Sequence, residues 1–295
     1  MSRPVFLYAT GTAFFINVLG APIGAIGGAE QSITYQDKVY RCSRITDDPF
    51  WTMLDPQVWD SRKINYPAAI WPMGPSIDVG VSVTVNNINN LPSGTPIVLG
   101  GYSQGAAVMS KVYRELKTGS LTGRWSSFKG AVLFGNPMRQ QDFLAPGLSW
   151  SGRWDVPGST TGGSGCFPDR LSGCDYGLWN EYVNVGDIIT ATGTSTNGAG
   201  WRSAVGWLTT MSDPITALIG LVTTDWLGGI SSALAVTGGG HVNYPTQPPP
   251  GLTGLTSYER ALAFLDTVAA SVYTGTILEP TDPTVAKSWT TLRPA

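Results

Sequence analysis

Three kinds of residue in this 295-residue chain could carry out acyl transfer together: a serine in a tight turn, one imidazole and a carboxylate. Ser103 lies in Gly101-Tyr102-Ser103-Gln104-Gly105. With 37 glycines in the chain, a bare G-x-S-x-G is expected by chance about 0.4 times, so the pattern alone proves little. Its surroundings say more. The apolar run Ile97–Gly101 leads into it and the helix-forming run "GAAVMSKVYREL" leaves it. Strand, sharp turn and helix in that order push a serine hydroxyl out above a sheet edge and aim a helix N-terminus at it.

A serine hydroxyl is a weak nucleophile without a base. His241 is the only histidine, so it is the only candidate imidazole. It follows three glycines in "TGGGHVNYP", which places it on a loop. An acid lying between serine and histidine in the sequence would complete the order Ser, acid, His found in α/β-hydrolases. The candidates are Asp142, Asp155, Asp169, Asp175, Asp187, Asp213 and Asp225. Asp187 is favoured because it closes "EYVNVGD" just past a strand candidate, and Asp175 is second. Two donors would be needed for a developing oxyanion: the N–H of Gln104, next to the serine, and Thr12 in "ATGT" after the first strand candidate.

The elements that must position these groups follow from short apolar runs. Strands are expected at Val5–Ala9, Ala68–Trp71, Pro96–Gly100, Ala131–Phe134 and Tyr182–Val185. A helical stripe is formed by Ile77, Val81, Val85, Ile88 and Leu91, and a second helix covers Ala106–Leu116. Near the C-terminus, Thr256 and Glu259 have capping-box spacing ahead of an apolar face of Ala261, Leu265, Val268 and Val272. Alternating strands and helices predict an α/β fold, a mostly parallel central sheet flanked by helices.

Two segments break this rhythm. Residues 145–177 are rich in Gly, Ser and Pro and read as a long irregular loop. Residues 194–240 carry Trp and Leu at spacings of three and four and read as a small helical insertion, either ordinary packing or a cap facing an apolar ligand. Residues 1–193 and 241–295 would then form the catalytic core. The N-terminal apolar run is broken by Pro4, Thr10, Gly11 and Thr12, which favours a buried first strand over a signal peptide.

Composition narrows the function. Charged residues are only 13% and the formal net charge is −2 without a basic stretch, so nucleic acid is not an expected partner. No run of 18 clean apolar residues suggests a transmembrane segment. One histidine and three scattered cysteines give zinc almost no ligands, and no metal or organic cofactor is expected. Cys166 and Cys174, eight apart, could bridge in an oxidising space.

These residues resemble the cutinase family. The similarity is carried by "LGGYSQGAAV", "INYPAA" at 64–69, "AVLFGNP" at 131–137, "NVGD" at 184–187 and "GHVNYP" at 240–245, in that family's order, with Gly11-Thr12 similar to its first oxyanion loop. The chain departs from secreted cutinases in lacking a cysteine near the acid, where Val183 and Thr190 stand. The insertion after Asp187, with "FGNPMRQ" and "WNEYVNVGD", resembles the mycobacteriophage lysin B family. The resemblance implies an α/β-hydrolase with Ser103, Asp187 and His241 as catalytic residues and Thr12 with Gln104 as the oxyanion pocket. It implies a monomer acting at a lipid surface on the ester joining mycolic acids to arabinogalactan in the mycobacterial cell envelope. An N-terminal peptidoglycan-binding module is not expected. Synthesis in a host cytoplasm without a signal peptide, and release at lysis, would follow. A secreted cutinase-like lipase or carboxylesterase is the alternative, and a non-catalytic envelope-binding module the rival from another class.

Overall fold

The computed structural model describes residues 3–11, 17–18, 21–22, 31–35, 38–42, 50–69, 73–145, 163–184, 186–193, 196–210, 240–241, 243–249 and 252–274. Five parallel strands form the central sheet: β1 (Val5–Ala9), β6 (Asp60–Lys63), β7 (Ile97–Tyr102), β8 (Phe128–Phe134) and β9 (Trp179–Tyr182), in the order β6-β1-β7-β8-β9. Between β1 and β6 lie two short antiparallel pairs: β2 (Asn17–Val18) with β3 (Ala21–Pro22), and β4 (Gln31–Tyr35) with β5 (Lys38–Cys42). The α-helices among the described residues are α1 (Met73–Asn89), α2 (Gln104–Thr118), α3 (Thr196–Thr210) and α4 (Ser257–Thr274).

The period-two alternation of a strand splits the core into two layers. Val5, Leu7, Ala9, Ile97, Leu99, Ala131 and Leu133 face one layer with Ile77 and Ile88 of α1 and Val108 and Val112 of α2. Phe6, Tyr8, Val98, Tyr102, Val132 and Phe134 face the other, with Tyr258, Leu262 and Leu265 of α4. Rings fill this second layer edge to face, as in Phe50–Tyr258, whose centroids are 4.8 Å apart at 73°. At the start of α4 the capping box forms: the Thr256 N–H donates to Glu259 Oε2 at 2.7 Å, and the Glu259 N–H to Thr256 Oγ1 at 3.2 Å.

Two strand expectations need correction. The strand beside β1 is Asp60–Lys63, not Ala68–Trp71: Ala68 turns at φ 49, and residues 70 and 71 lie outside the described residues. β6 is an edge strand with partly exposed side chains, so its sequence DSRK carries no apolar run to find. The last strand is Trp179–Tyr182 rather than Tyr182–Val185. Asn180 and Glu181 interrupt its apolar pattern, yet both are buried and hydrogen-bonded.

Of the 145–177 segment, residues 163–177 follow an irregular path tied to the segment after β9 by an antiparallel bridge between Ser164 and Thr192. Within residues 194–240, α3 packs on the α1 side, with Val205 in the core. Residues 194, 195 and 211–239 lie outside the described residues.

Candidate active site

Ser103 occupies the turn between β7 and α2 at φ 53, ψ −119, a backbone region that side chains rarely adopt. The turn is held by the Ser103 N–H donating to the Phe134 carbonyl at 2.8 Å. Both flanking glycines are required sterically. A Cβ on Gly105 would stand 2.0 Å from the Ala9 carbonyl oxygen, and one on Gly101 2.7 Å from the Gly105 backbone. The Gln104 N–H opens α2, where no preceding turn supplies an acceptor. The Gln104 side chain turns away: its Nε2 donates to the Ala69 carbonyl at 2.8 Å, and Ser76 Oγ donates to its Oε1 at 3.2 Å.

His241 follows Gly240, and its ring lies over the end of the sheet. Its Nε2 is 2.9 Å from Ser103 Oγ, and its Nδ1 is 2.9 and 3.0 Å from the two oxygens of Asp187. An ionised carboxylate can only accept, so Nδ1 carries the proton and Nε2 offers its lone pair to the serine hydroxyl. Asp187 is fully buried in the loop after β9. Burial alone would raise its carboxyl, but the His241 ring, the Tyr244 hydroxyl and the Ile189 N–H outweigh this and hold it below the ordinary range.

Asp175, the second acid candidate, is engaged elsewhere, accepting from the Tyr113 hydroxyl and from Lys117 Nζ at 2.9 Å. Asp169 pairs with Arg114 at 2.7 Å. Asp155, Asp213 and Asp225 lie outside the described residues, as does Thr12. Cys166 and Cys174 are free thiols, each pushed up by burial. Among the described residues there is no group of three or more His, Cys, Asp or Glu that could hold a metal ion, and no helix long and apolar enough to cross a membrane.

Several groups that position the site were missed from sequence. The Tyr102 hydroxyl donates to the His241 carbonyl, and its ring lies 5.4 Å from the imidazole. Asn184 Nδ2 donates to the Gly240 carbonyl at 2.8 Å. Arg139 is fully buried and ties together three segments near Asp187: it donates to the carbonyls of Thr190 and Phe143, each at 2.8 Å, and of Gly163. From α3, Trp201 Nε1 reaches the Ile188 carbonyl at 3.1 Å. Tyr102, Asn184 and Tyr244 all lie inside motifs quoted above, so the available signal was a polar side chain within three residues of a reactive one.

Residues 57–198 match the Cutinase family. Endolysin B of Mycobacterium phage D29 is 33% identical over 135 residues, 43% of this chain and 51% of that protein. Endolysin B of Mycobacterium phage L5 is 31% identical over the same length. The match thus spans about half the length of these curated relatives. The crystal structure of lysin B from mycobacteriophage D29 superposes with a TM-score of 0.53 at 24% identity, covering 90% of this chain and all of that one. Residues 57–198, which hold both Ser103 and Asp187, thus match the Cutinase family within a cutinase-like α/β-hydrolase fold.

Proposed function

We propose that the protein is a serine esterase that cleaves the ester between mycolic acids and arabinogalactan in the mycobacterial envelope. The observation that carries the chemistry is the hydrogen-bonded line Ser103 Oγ, His241 Nε2, His241 Nδ1, Asp187. In the first step Ser103 Oγ attacks the ester carbonyl carbon and its proton passes to His241 Nε2. The carbonyl π electrons move to oxygen, where the Gln104 N–H, and with it Thr12, would stabilise the charge. Collapse expels the sugar oxygen, which takes the proton back from the imidazolium. Water then repeats the sequence on the acyl-enzyme and frees the fatty acid. Asp187 keeps the proton on Nδ1 and stabilises the imidazolium throughout.

The substrate rests on the likeness to two mycobacteriophage endolysins, together with 11 tryptophans in a chain with few charges. Action by a monomer at a lipid surface, on release from a lysing host, belongs to the same reading, as does residues 194–240 being an insertion in the catalytic core. The test is to incubate the purified protein with isolated mycolyl-arabinogalactan and measure free mycolic acids. Release that disappears in Ser103→Ala supports the proposal. Hydrolysis of short soluble esters without any release of mycolic acid would instead favour a cutinase-like carboxylesterase, the reading that the Cutinase match favours.

A further inference from the structure

We infer that Tyr244 is a positioning residue for the acid–base pair: its hydroxyl fixes the Asp187 carboxylate and helps set the pH at which the His241–Asp187 pair takes up a proton. The inference deepens the proposed esterase mechanism and rests on it.

The Tyr244 hydroxyl lies 2.5 Å from Asp187 Oδ2. The carboxylate can only accept, so the phenol donates its single proton there. The phenol oxygen accepts in turn from the Asn184 N–H at 3.3 Å. Asn184 also holds Gly240 through its side chain, so one small network joins the acid loop to the histidine loop. The ring is enclosed by Tyr102 at 5.9 Å, Phe134 at 5.9 Å and His241 at 6.4 Å, and Tyr244 is fully buried. The Asp187 carboxylate that it meets is itself fully buried. Asp187 Oδ1 has the Ile189 N–H at 2.8 Å, and the two tethers leave the imidazole as the carboxylate's third partner.

The direction of the pH effect follows from charge. A donor bond stabilises a bare carboxylate more than one already facing an imidazolium. Removing the hydroxyl therefore raises the pair's affinity for a proton and moves the acid limb of kcat/KM to higher pH. The other titratable or charged groups facing this cluster are Tyr102 from β7, Arg139 beyond β8, Cys166 from the 163–167 segment and, next to Arg139, Glu181 of β9. Burial pushes Glu181 up to about 7. All four are unchanged by a substitution at 244, and the comparison isolates the hydroxyl.

The experiment measures kcat, KM and the pH dependence of kcat/KM on a soluble ester for the unmodified protein, Tyr244→Phe, and protein with 3-fluorotyrosine at 244. Tyr244→Phe is expected to lose roughly 10- to 100-fold in kcat with KM little changed, and its acid limb to move to higher pH. The more acidic fluorophenol is a stronger donor of nearly the same shape, and should move the limb to lower pH. A slower Tyr244→Phe with an unmoved limb would mean packing alone and overturns the inference. If Tyr244→Phe does not fold, an unmoved limb in the fluorotyrosine protein overturns it equally. Ser103→Ala run alongside separates the layers: activity surviving there defeats the esterase mechanism itself, whereas an inactive Ser103→Ala with unaltered Tyr244 variants defeats only the role of Tyr244.

Discussion

Ser103 Oγ and His241 Nε2 lie within 2.9 Å although 138 positions separate them in the sequence. Two backbone devices produce this approach. On the serine side, the β7–α2 turn forces φ to 53 and lifts the hydroxyl clear of the sheet. On the histidine side, Tyr102 and Asn184 hold the His241 and Gly240 carbonyls, so the residue next to Ser103 also anchors the backbone of His241. The site is thus fixed largely by backbone bonds, which side-chain substitution can probe one at a time.

The strain at Ser103 predicts that stability and activity part company there. Backbone held in a sparsely populated region costs on the order of 1–3 kcal/mol. Ser103→Ala keeps that cost, whereas Ser103→Gly removes it and returns part as unfolded-chain entropy. Ser103→Gly should therefore be the more stable of the two by about 1 kcal/mol, while both lose at least ~10³ in kcat. Denaturant titration of the pair checks this. Equal midpoints would mean that the turn is not strained.

Asp187→Asn keeps the size of the side chain but presents an amide donor to a ring nitrogen that must itself donate. The ring then favours the other tautomer, with its proton on Nε2 facing the serine. A loss on the order of 10⁴ in kcat is expected, by analogy with the same change in a serine protease triad. Nδ1 chemical shifts in the folded variant would report the tautomer, and retention of the Nδ1–H form would contradict the assignment.

Much of this was legible in the sequence because the informative residues are scarce or sterically constrained. One histidine in the chain leaves no choice of imidazole, and the glycines at 101 and 105 mark a turn that no larger residue fits. β1, β7 and β8 are buried on both faces, so continuous apolar runs betray them. What escaped is polar. β6 lies at an edge and needs no apolar run. β9 buries Asn180 and Glu181, which read locally as loop residues. Arg139 looks like a surface cation in "NPMRQ", and only the fold shows that carbonyls from 143, 163 and 190 converge on it. A buried polar residue is explained by partners distant in sequence, and no local pattern encodes those.

Gly135 predicts how closely the imidazole is held. The residue follows β8 at φ 61, and a Cβ there would lie 2.5 Å from His241 Cε1. Gly135→Ala must displace either the ring or its own backbone. Misplacement of a reacting group by about 1 Å costs on the order of 10²-fold in rate. The expected result is a fall of that size in kcat/KM in a protein that still binds a fluorophosphonate slowly at Ser103. Unaltered kinetics would mean that the ring has room to give.

Glu181 predicts a pH dependence of stability separate from the site. Its Oε1 accepts from Asn136 Nδ2 and Trp179 Nε1, each at 2.8 Å, and its fully buried Oε2 has no hydrogen-bond partner among the described residues. Burial pushes the carboxyl up to about 7 from an ordinary 4.5, against the opposing pull of those two donors and of Arg139. At pH 6 the folded chain holds a proton there that the unfolded chain has released. The stabilisation from this group is therefore complete below about pH 4.5 and is lost as pH rises through about 7. The loss is on the order of 3 kcal/mol if the whole shift is realised. Asp187, held below its ordinary range, stays ionised in both states across this window, and its contribution fades only in more acidic solution. Glu181→Gln keeps the acceptor for Asn136 and Trp179 and cannot ionise. Urea unfolding at pH 5 and pH 8 should show the unmodified protein losing stability between the two, with Glu181→Gln losing much less. Parallel declines in the two proteins would place the titrating group elsewhere.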